Sequence, residues 1–271
     1  GHRRRSAPVT RGPRASGRPA RHPEPQGPTF TGRSAVDDDH AMNSDRVVVV
    51  TGGNRGLGRE VARQCAARGD TVLLGARDLA AGERAARELP GRVRAVRLDV
   101  TDADGLAALA KDVTDTEGRV DVLVNNAAIH YDTWQTSVTA DLAVVREALE
   151  TNVLGAWQTT LAFLPLLRRS AHPRIVMVSS EGGSLASMGG GTPAYNVSKA
   201  ALNALTRTLA GDLRRDRILV NAVCPGWVAT DMGGPGGRPV ADGAASIMYA
   251  VDLPDGGPTS TFTRDGRPVP W

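Results

Sequence analysis

Tyr195 and Lys199 stand four residues apart in Tyr195-Asn196-Val197-Ser198-Lys199, inside a stretch patterned as a helix from Ala194 to Arg214. That spacing puts both side chains on one helical face. A phenol with a solution pKa of about 10 is a poor acid–base group at neutral pH. A nearby ammonium favours the phenolate, and the same lysine can hold ribose hydroxyls. Ser180 follows an aliphatic run and offers a hydroxyl that could bond a substrate oxygen alongside Tyr195; Ser179, Ser184 and Ser187 are its rivals.

A second cluster lies near the start. Thr51-Gly52-Gly53-Asn54-Arg55-Gly56-Leu57-Gly58 follows the aliphatic run Val47 to Val50 and opens a helix-like stretch. Here Gly52 permits a tight turn, Gly56 a close backbone approach, and Gly58 the packing of helix on sheet. Main-chain N–H groups at the start of that helix would face a pyrophosphate. The placement between strand and helix points to dinucleotide binding.

The end of the next strand reads Leu74-Gly75-Ala76-Arg77. An acidic side chain at this place would hold the ribose hydroxyls of NAD. Ala76 leaves that contact empty, while Arg77, and Arg55 in the glycine turn, offer guanidinium forks to a 2′-phosphate. NADP(H) is therefore the expected cofactor, the alternative being that both arginines are solvated surface residues. Asp99, with Val100 beside it, suits the adenine, or else caps the helix beginning near Asp102. Asn125-Asn126-Ala127-Ala128 offers small residues for cofactor to pass and asparagines to tie loops together.

These groups need a frame. Candidate strands run over Val47–Thr51, Thr71–Gly75, Val93–Leu98, Val120–Asn125, Arg174–Ser179 and Ile218–Cys224. Helical stretches lie between them at Leu57–Arg68, Leu79–Leu89, Asp102–Glu117, Thr139–Arg168 and Ala194–Arg214. The alternation of nearly continuous aliphatic strands with helices predicts an α/β fold, a doubly wound parallel sheet covered by helices on both faces. A short helix over Gly243–Val251 and a last strand near Ser260–Thr263 would complete one domain spanning residues 42–271. The Gly- and Pro-dense segment from about 229 to 243 is expected to be a mobile loop at the substrate side.

Composition narrows the class. The 271 residues carry a formal charge of +4. All of it resides in residues 1–41, where eight arginines face Glu24, Asp37, Asp38 and Asp39. From Met42 onward the charges balance, so no nucleic-acid surface is expected in the domain. The Pro-, Gly-, Ser- and Arg-rich segment 1–41 is expected to be a disordered basic tail or an extension preceding a start at Met42. No apolar run is long enough for a spanning helix. Cys65 and Cys224 read as buried thiols, which fits a cytoplasmic protein. His130 and His172 lack clustered partners, so no metal site is expected.

Taken together, the glycine turn, Asn125-Asn126-Ala127, Ser180, Tyr195-Asn196-Val197-Ser198-Lys199 and Cys224-Pro225-Gly226 resemble the short-chain dehydrogenase/reductase family in order and approximate spacing. The resemblance runs from Arg46 to the C-terminus. Ala76-Arg77 and the ending Phe262 to Trp271 are more particularly similar to its NADP-dependent carbonyl-reductase-type members. It implies a single-domain Rossmann fold and hydride transfer between nicotinamide and a ketone or aldehyde carbonyl. Tyr195 would be the general acid–base, Lys199 its pKa modulator and ribose clamp, and Ser180 the group that orients the carbonyl. Asn152, in Thr151-Asn152-Val153, would hold a water feeding a proton relay to Lys199, and Asn125 would support the cofactor loop. Asn126, Ala127, Pro225, Gly226, Val228 and Thr230 would touch the cofactor, and Trp227 would line the substrate.

The chain departs from the family pattern at Ala128, where glycine is common, and in a gap of fifteen residues between Ser180 and Tyr195. It lacks the long insert of monomeric relatives, so a homodimer or homotetramer is expected. The remaining alternatives are an NAD-dependent alcohol or sugar dehydrogenase, and a non-catalytic dinucleotide sensor whose arginine-rich tail contacts nucleic acid.

Overall fold

The computed structural model describes residues 45–271; the expectations for residues 1–41 lie outside them. Val47-Val48-Val49-Val50 forms β1, a fully buried strand. Its side chains alternate between two cores, as the period of a strand requires. Val47 and Val49 join Leu109, Val113, Phe163 and Leu205 on one face, while Val48 and Val50 join Val61, Cys65, Ile247 and Met248 on the other.

The chain then alternates α1 (Gly56–Ala67), β2 (Thr71–Ala76), α2 (Leu79–Arg87), β3 (Arg92–Arg97), α3 (Ala103–Thr116) and β4 (Val122–Asn125). Next come α4 (Leu142–Leu149), a π-helical stretch Glu150–Gly155, α5 (Ala156–Leu167), β5 (Arg174–Val178), α6 (Pro193–Asp212) and β6 (Leu219–Val223). The end is built from α7 (Val240–Val251), β7 (Phe262–Arg264) and β8 (Arg267–Pro268). The strands form one sheet in the order β3-β2-β1-β4-β5-β6-β7-β8. All pairs are parallel except β7 with β8. This is the doubly wound α/β sheet expected, and its order reverses between β1 and β4, where a crevice opens at the carboxyl ends.

Three details differ from expectation. The segment from about 229 to 243 is not all loop, because α7 begins at Val240. Gly243 serves close packing there: an added Cβ would lie 2.6 Å from Val228 and 2.9 Å from Leu57. The preceding residues are themselves tied, Ala229 N–H to the Arg238 carbonyl and Arg238 N–H to that of Trp227. The last strand is half of a hairpin, turned by Asp265 and Gly266, both at positive φ. The span from Thr139 to Arg168 starts its helix only after Asp141, whose carboxylate accepts from the Ala143 N–H. No helix among the described residues is long and apolar enough to cross a membrane.

Candidate functional site

A cleft of about 480 Å³ opens beyond the carboxyl ends of the strands. Gly52, Asn54, Arg55, Gly56, Leu57 and Gly58 line one side. Here the local sequence leaves no alternative to glycine. A Cβ on Gly58 would lie 2.3 Å from the Gly52 carbonyl oxygen and 2.5 Å from Asn126 Nδ2, and Gly56 has φ +52°. The N-cap of α1 is Arg55, which gives no side-chain cap, and the first turn holds no acidic residue. The N–H groups at this helix start are thus left for an anion, in a cradle that any larger side chain would fill. These features fit the pyrophosphate of a dinucleotide.

Around the rim stand Arg77, Asp99, Val100, Asn126, Ala127, Pro225 and Thr230, together with Lys199 and Tyr195. Asn126 is the residue that holds the glycine turn, donating from Nδ2 to the carbonyls of Thr51 (2.9 Å) and Gly52 (3.2 Å). Asn125, expected to support that loop, instead turns into the core toward Thr160 and Met177. The two open roles of Asp99 separate. Asp102 caps α3 by accepting from Gly105 N–H at 2.9 Å, whereas Asp99 accepts from the N–H and hydroxyl of Thr101 and faces the cleft. Burial works against its charged form, but those bonds and the nearby Arg77 and Arg97 outweigh it and hold the carboxyl below its usual range. Among the described residues Arg77 forms no ion pair, while exposed Arg55 meets Asp231 at 2.9 Å.

At the other end α6 presents Tyr195 and Lys199. Burial pushes the Tyr195 phenol up to about 12, and a bond with the Ser180 hydroxyl pulls the other way. The Tyr131 ring meets the Tyr195 ring edge-on at 5.2 Å. Lys199 is buried, and this drives its ammonium down to about 8. Its Nζ donates to the Val178 carbonyl at 2.7 Å and lies 5.5 Å from the Tyr195 ring centre. The lysine expected to modulate the phenol is thus anchored on β5 with its ammonium beside the Tyr195 ring.

Ser180 is set by the turn it opens, accepting from Gly182 N–H at 3.1 Å. Its rivals are otherwise occupied: Ser179 donates to Asn203, Ser184 donates to the Pro270 carbonyl, and Ser187 is exposed. The C-terminus braces this segment, with the Trp271 carbonyl accepting from Ala186 N–H. Asn152 sits in the π-helical stretch, a feature often found at functional sites. Its side chain is spent on protein partners: Oδ1 accepts from Ile129 N–H, and Nδ2 donates to the Ile129 carbonyl and to Ser198.

Five residues expected at the site do not line the cleft, namely Asn152, Ser180, Gly226, Val228 and Trp227. Gly226 faces the Arg238 and Arg264 side chains. Val228 is buried beneath α7. Trp227, expected to line the substrate, folds away onto residues 233–236, its indole N–H donating to the Gly233 carbonyl at 2.7 Å. Met232, Asp231, Ala128 and Ile129 take part in the lining instead. Among the described residues no three His, Cys, Asp or Glu side chains converge as metal ligands.

Comparison with known proteins agrees with this geometry. The sequence profile of the short chain dehydrogenase family matches residues 46–238. Short-chain dehydrogenase/reductase 1 of Saponaria officinalis is 33% identical, covering 83% of this chain and 96% of its own length. Carbonyl reductase [NADPH] 1 of Sus scrofa is 32% identical over 84% of this chain and 95% of that protein. The crystal structure of NADPH-bound carbonyl reductase from chicken fatty liver superposes with a TM-score of 0.76 at 28% identity, covering 84% of this chain and 99% of that one. With the profile spanning most of the chain and relatives matched nearly end to end, this protein belongs to the short-chain dehydrogenase family of oxidoreductases.

Proposed function

We propose that the protein is an NADP(H)-dependent reductase of ketones or aldehydes, with Tyr195 as proton donor. The observation that carries this reading is the gathering of Tyr195, Ser180 and Lys199 at the same end of the sheet as the glycine-lined cleft. When bound, the cofactor supplies the hydride. The glycine turn and the start of α1 would hold its pyrophosphate, and Asp99 with Val100 its adenine. Arg77, in no ion pair among the described residues, and buried Ala76, where an acid would select NAD, favour the 2′-phosphate form.

The chain's own groups supply the rest. Ser180 donates to the substrate oxygen and polarises the carbonyl. The Tyr195 phenol is protonated at neutral pH, the form reduction needs, and releases that proton to the oxygen as negative charge develops. Lys199, anchored on Val178, stands ready to hold ribose hydroxyls and to replenish the proton. Relatives named as NADPH carbonyl reductases support the same assignment. The test is the oxidation of NADPH and NADH, followed by absorbance, over a panel of aldehydes, ketones and quinones. Turnover with NADPH exceeding that with NADH is expected. Tight cofactor binding with no turnover on any carbonyl, or on alcohols in reverse, would overturn the reading.

A further inference from the structure

The helix that carries Tyr195 begins without a cap of its own. Thr192, its N-cap residue, is left-handed at φ +42° and gives no side-chain bond. Pro193 has no N–H to satisfy. The next donors are the N–H groups of Ala194, Tyr195 and Asn196, and a buried donor must find a partner. Asn196 bonds back to the Thr192 carbonyl at 2.9 Å. The other two go to a residue 62 and 63 positions earlier: Asp132 Oδ2 accepts from Ala194 N–H at 2.9 Å, and Oδ1 from Tyr195 N–H at 3.0 Å.

Asp132 is fully buried. Gln135 Nε2 donates to Oδ2 at 2.8 Å and thereby fixes the plane of the carboxylate. Gln135 in turn accepts at Oε1 from the N–H of Asp141, the residue that caps α4. The same loop is pinned at Ile129 by Asn152 and at His130 by Glu147. Burial opposes the charge on Asp132, but the bonds from Gln135, Ala194 and Tyr195 outweigh it and hold the carboxyl below its usual range. A carboxylate at this end of α6 also complements the helix dipole.

We infer that Asp132 is a positioning residue for Tyr195: bonded to that residue's own main-chain N–H, it sets where the first turn of α6 presents the phenol relative to Ser180. Proton transfer is sensitive to displacements well under an ångström, so a cap at the reacting residue itself bears on rate rather than on cofactor binding. This inference rests on the proposal that Tyr195 is the proton donor.

The test compares wild type, Asp132→Ala, Asp132→Asn and Tyr195→Phe for kcat and KM with NADPH and a carbonyl substrate, for NADPH Kd by fluorescence, and for thermal stability. Asp132→Ala is expected to lower kcat about 10- to 100-fold at a temperature where it is folded, with NADPH Kd within about twofold of wild type. Asp132→Asn, which keeps one acceptor oxygen, is expected to lose less. A folded Asp132→Ala with wild-type kcat would overturn the inference, as would equal losses in kcat and cofactor affinity. Should the alanine variant fail to fold, Asp132→Asn is read by the same criteria. Failure of both to fold would assign Asp132 to folding alone and overturn it as well. Full activity in Tyr195→Phe would instead sink the functional reading, which keeps the two failures apart.

Discussion

Lys199 Nζ donates to the main-chain oxygen of Val178 at 2.7 Å, at the last residue of β5, while standing 5.5 Å from the centre of the Tyr195 ring. The ammonium is thus tied to the sheet beside the phenol ring. This arrangement costs stability, because a buried cation with one main-chain acceptor is poorly compensated.

Replacing Lys199 by Met is therefore expected to stabilise the fold while abolishing turnover. The ammonium is held down near 8 against an ordinary 10.5. That depression corresponds to about 3 kcal/mol at pH 7, from which the lost bond to Val178 subtracts roughly 1 kcal/mol. A net gain of about 1–2 kcal/mol is expected in urea denaturation at pH 7. The sign of the pH dependence follows from the lowered pKa. Above 8 the folded wild type sheds the proton that the unfolded chain keeps until 10.5, so wild type gains stability and the variant's advantage vanishes over that window. A variant less stable than wild type at pH 7 would contradict the cost assigned to this lysine.

Arg77 carries the cofactor preference in this account. Arg77→Ser is expected to reduce kcat/KM for NADPH about 10- to 100-fold, as loss of a charge-assisted phosphate contact does, and to leave NADH within a few-fold. Equal effects on the two cofactors, read from initial rates, would show that Arg77 does not meet the 2′-phosphate.

Arg55 is already engaged by Asp231 at 2.9 Å, with the two side chains 70% and 75% exposed. Such a pair contributes little to stability, about 0–1 kcal/mol, but it competes for the guanidinium that a phosphate would use. Asp231→Asn is expected to lower the Kd for NADPH about two- to fivefold, to leave that for NADH unchanged, and to shift Tm by no more than a degree or two. An equal gain for NADH in fluorescence titration would contradict the competition.

The sheet and most of the cleft were legible in the sequence because they depend on local pattern: aliphatic runs for strands, a glycine turn between β1 and α1, and Tyr195 and Lys199 one helical turn apart. What the pattern could not give was long-range pairing. Nothing near Asp132 marks it as the cap of a helix some sixty residues later, and Thr192-Pro193 has the residue types of an ordinary helix start, whose failure to cap itself shows only in the fold. Asn125 and Asn126 are neighbours of one type, and only the pleat decides that the first enters the core and the second holds the glycine turn. The direction of Trp227 depends on a Gly-rich loop onto which its indole folds, a tertiary choice invisible in composition. The β7–β8 hairpin stands where a single last strand was expected, although Asp265-Gly266 is a strong two-residue turn signal.

The most direct test of the central claim is kcat of Tyr195→Phe against wild type, with NADPH and a carbonyl that the wild type reduces. Removing the one hydroxyl keeps the ring packed against Tyr131 and leaves the glycine cradle untouched. A fall in kcat of about 100-fold or more, with NADPH Kd within about twofold of wild type, is the result predicted for the proton donor. Retention of kcat within about fivefold would contradict it and move the acid–base role to another group.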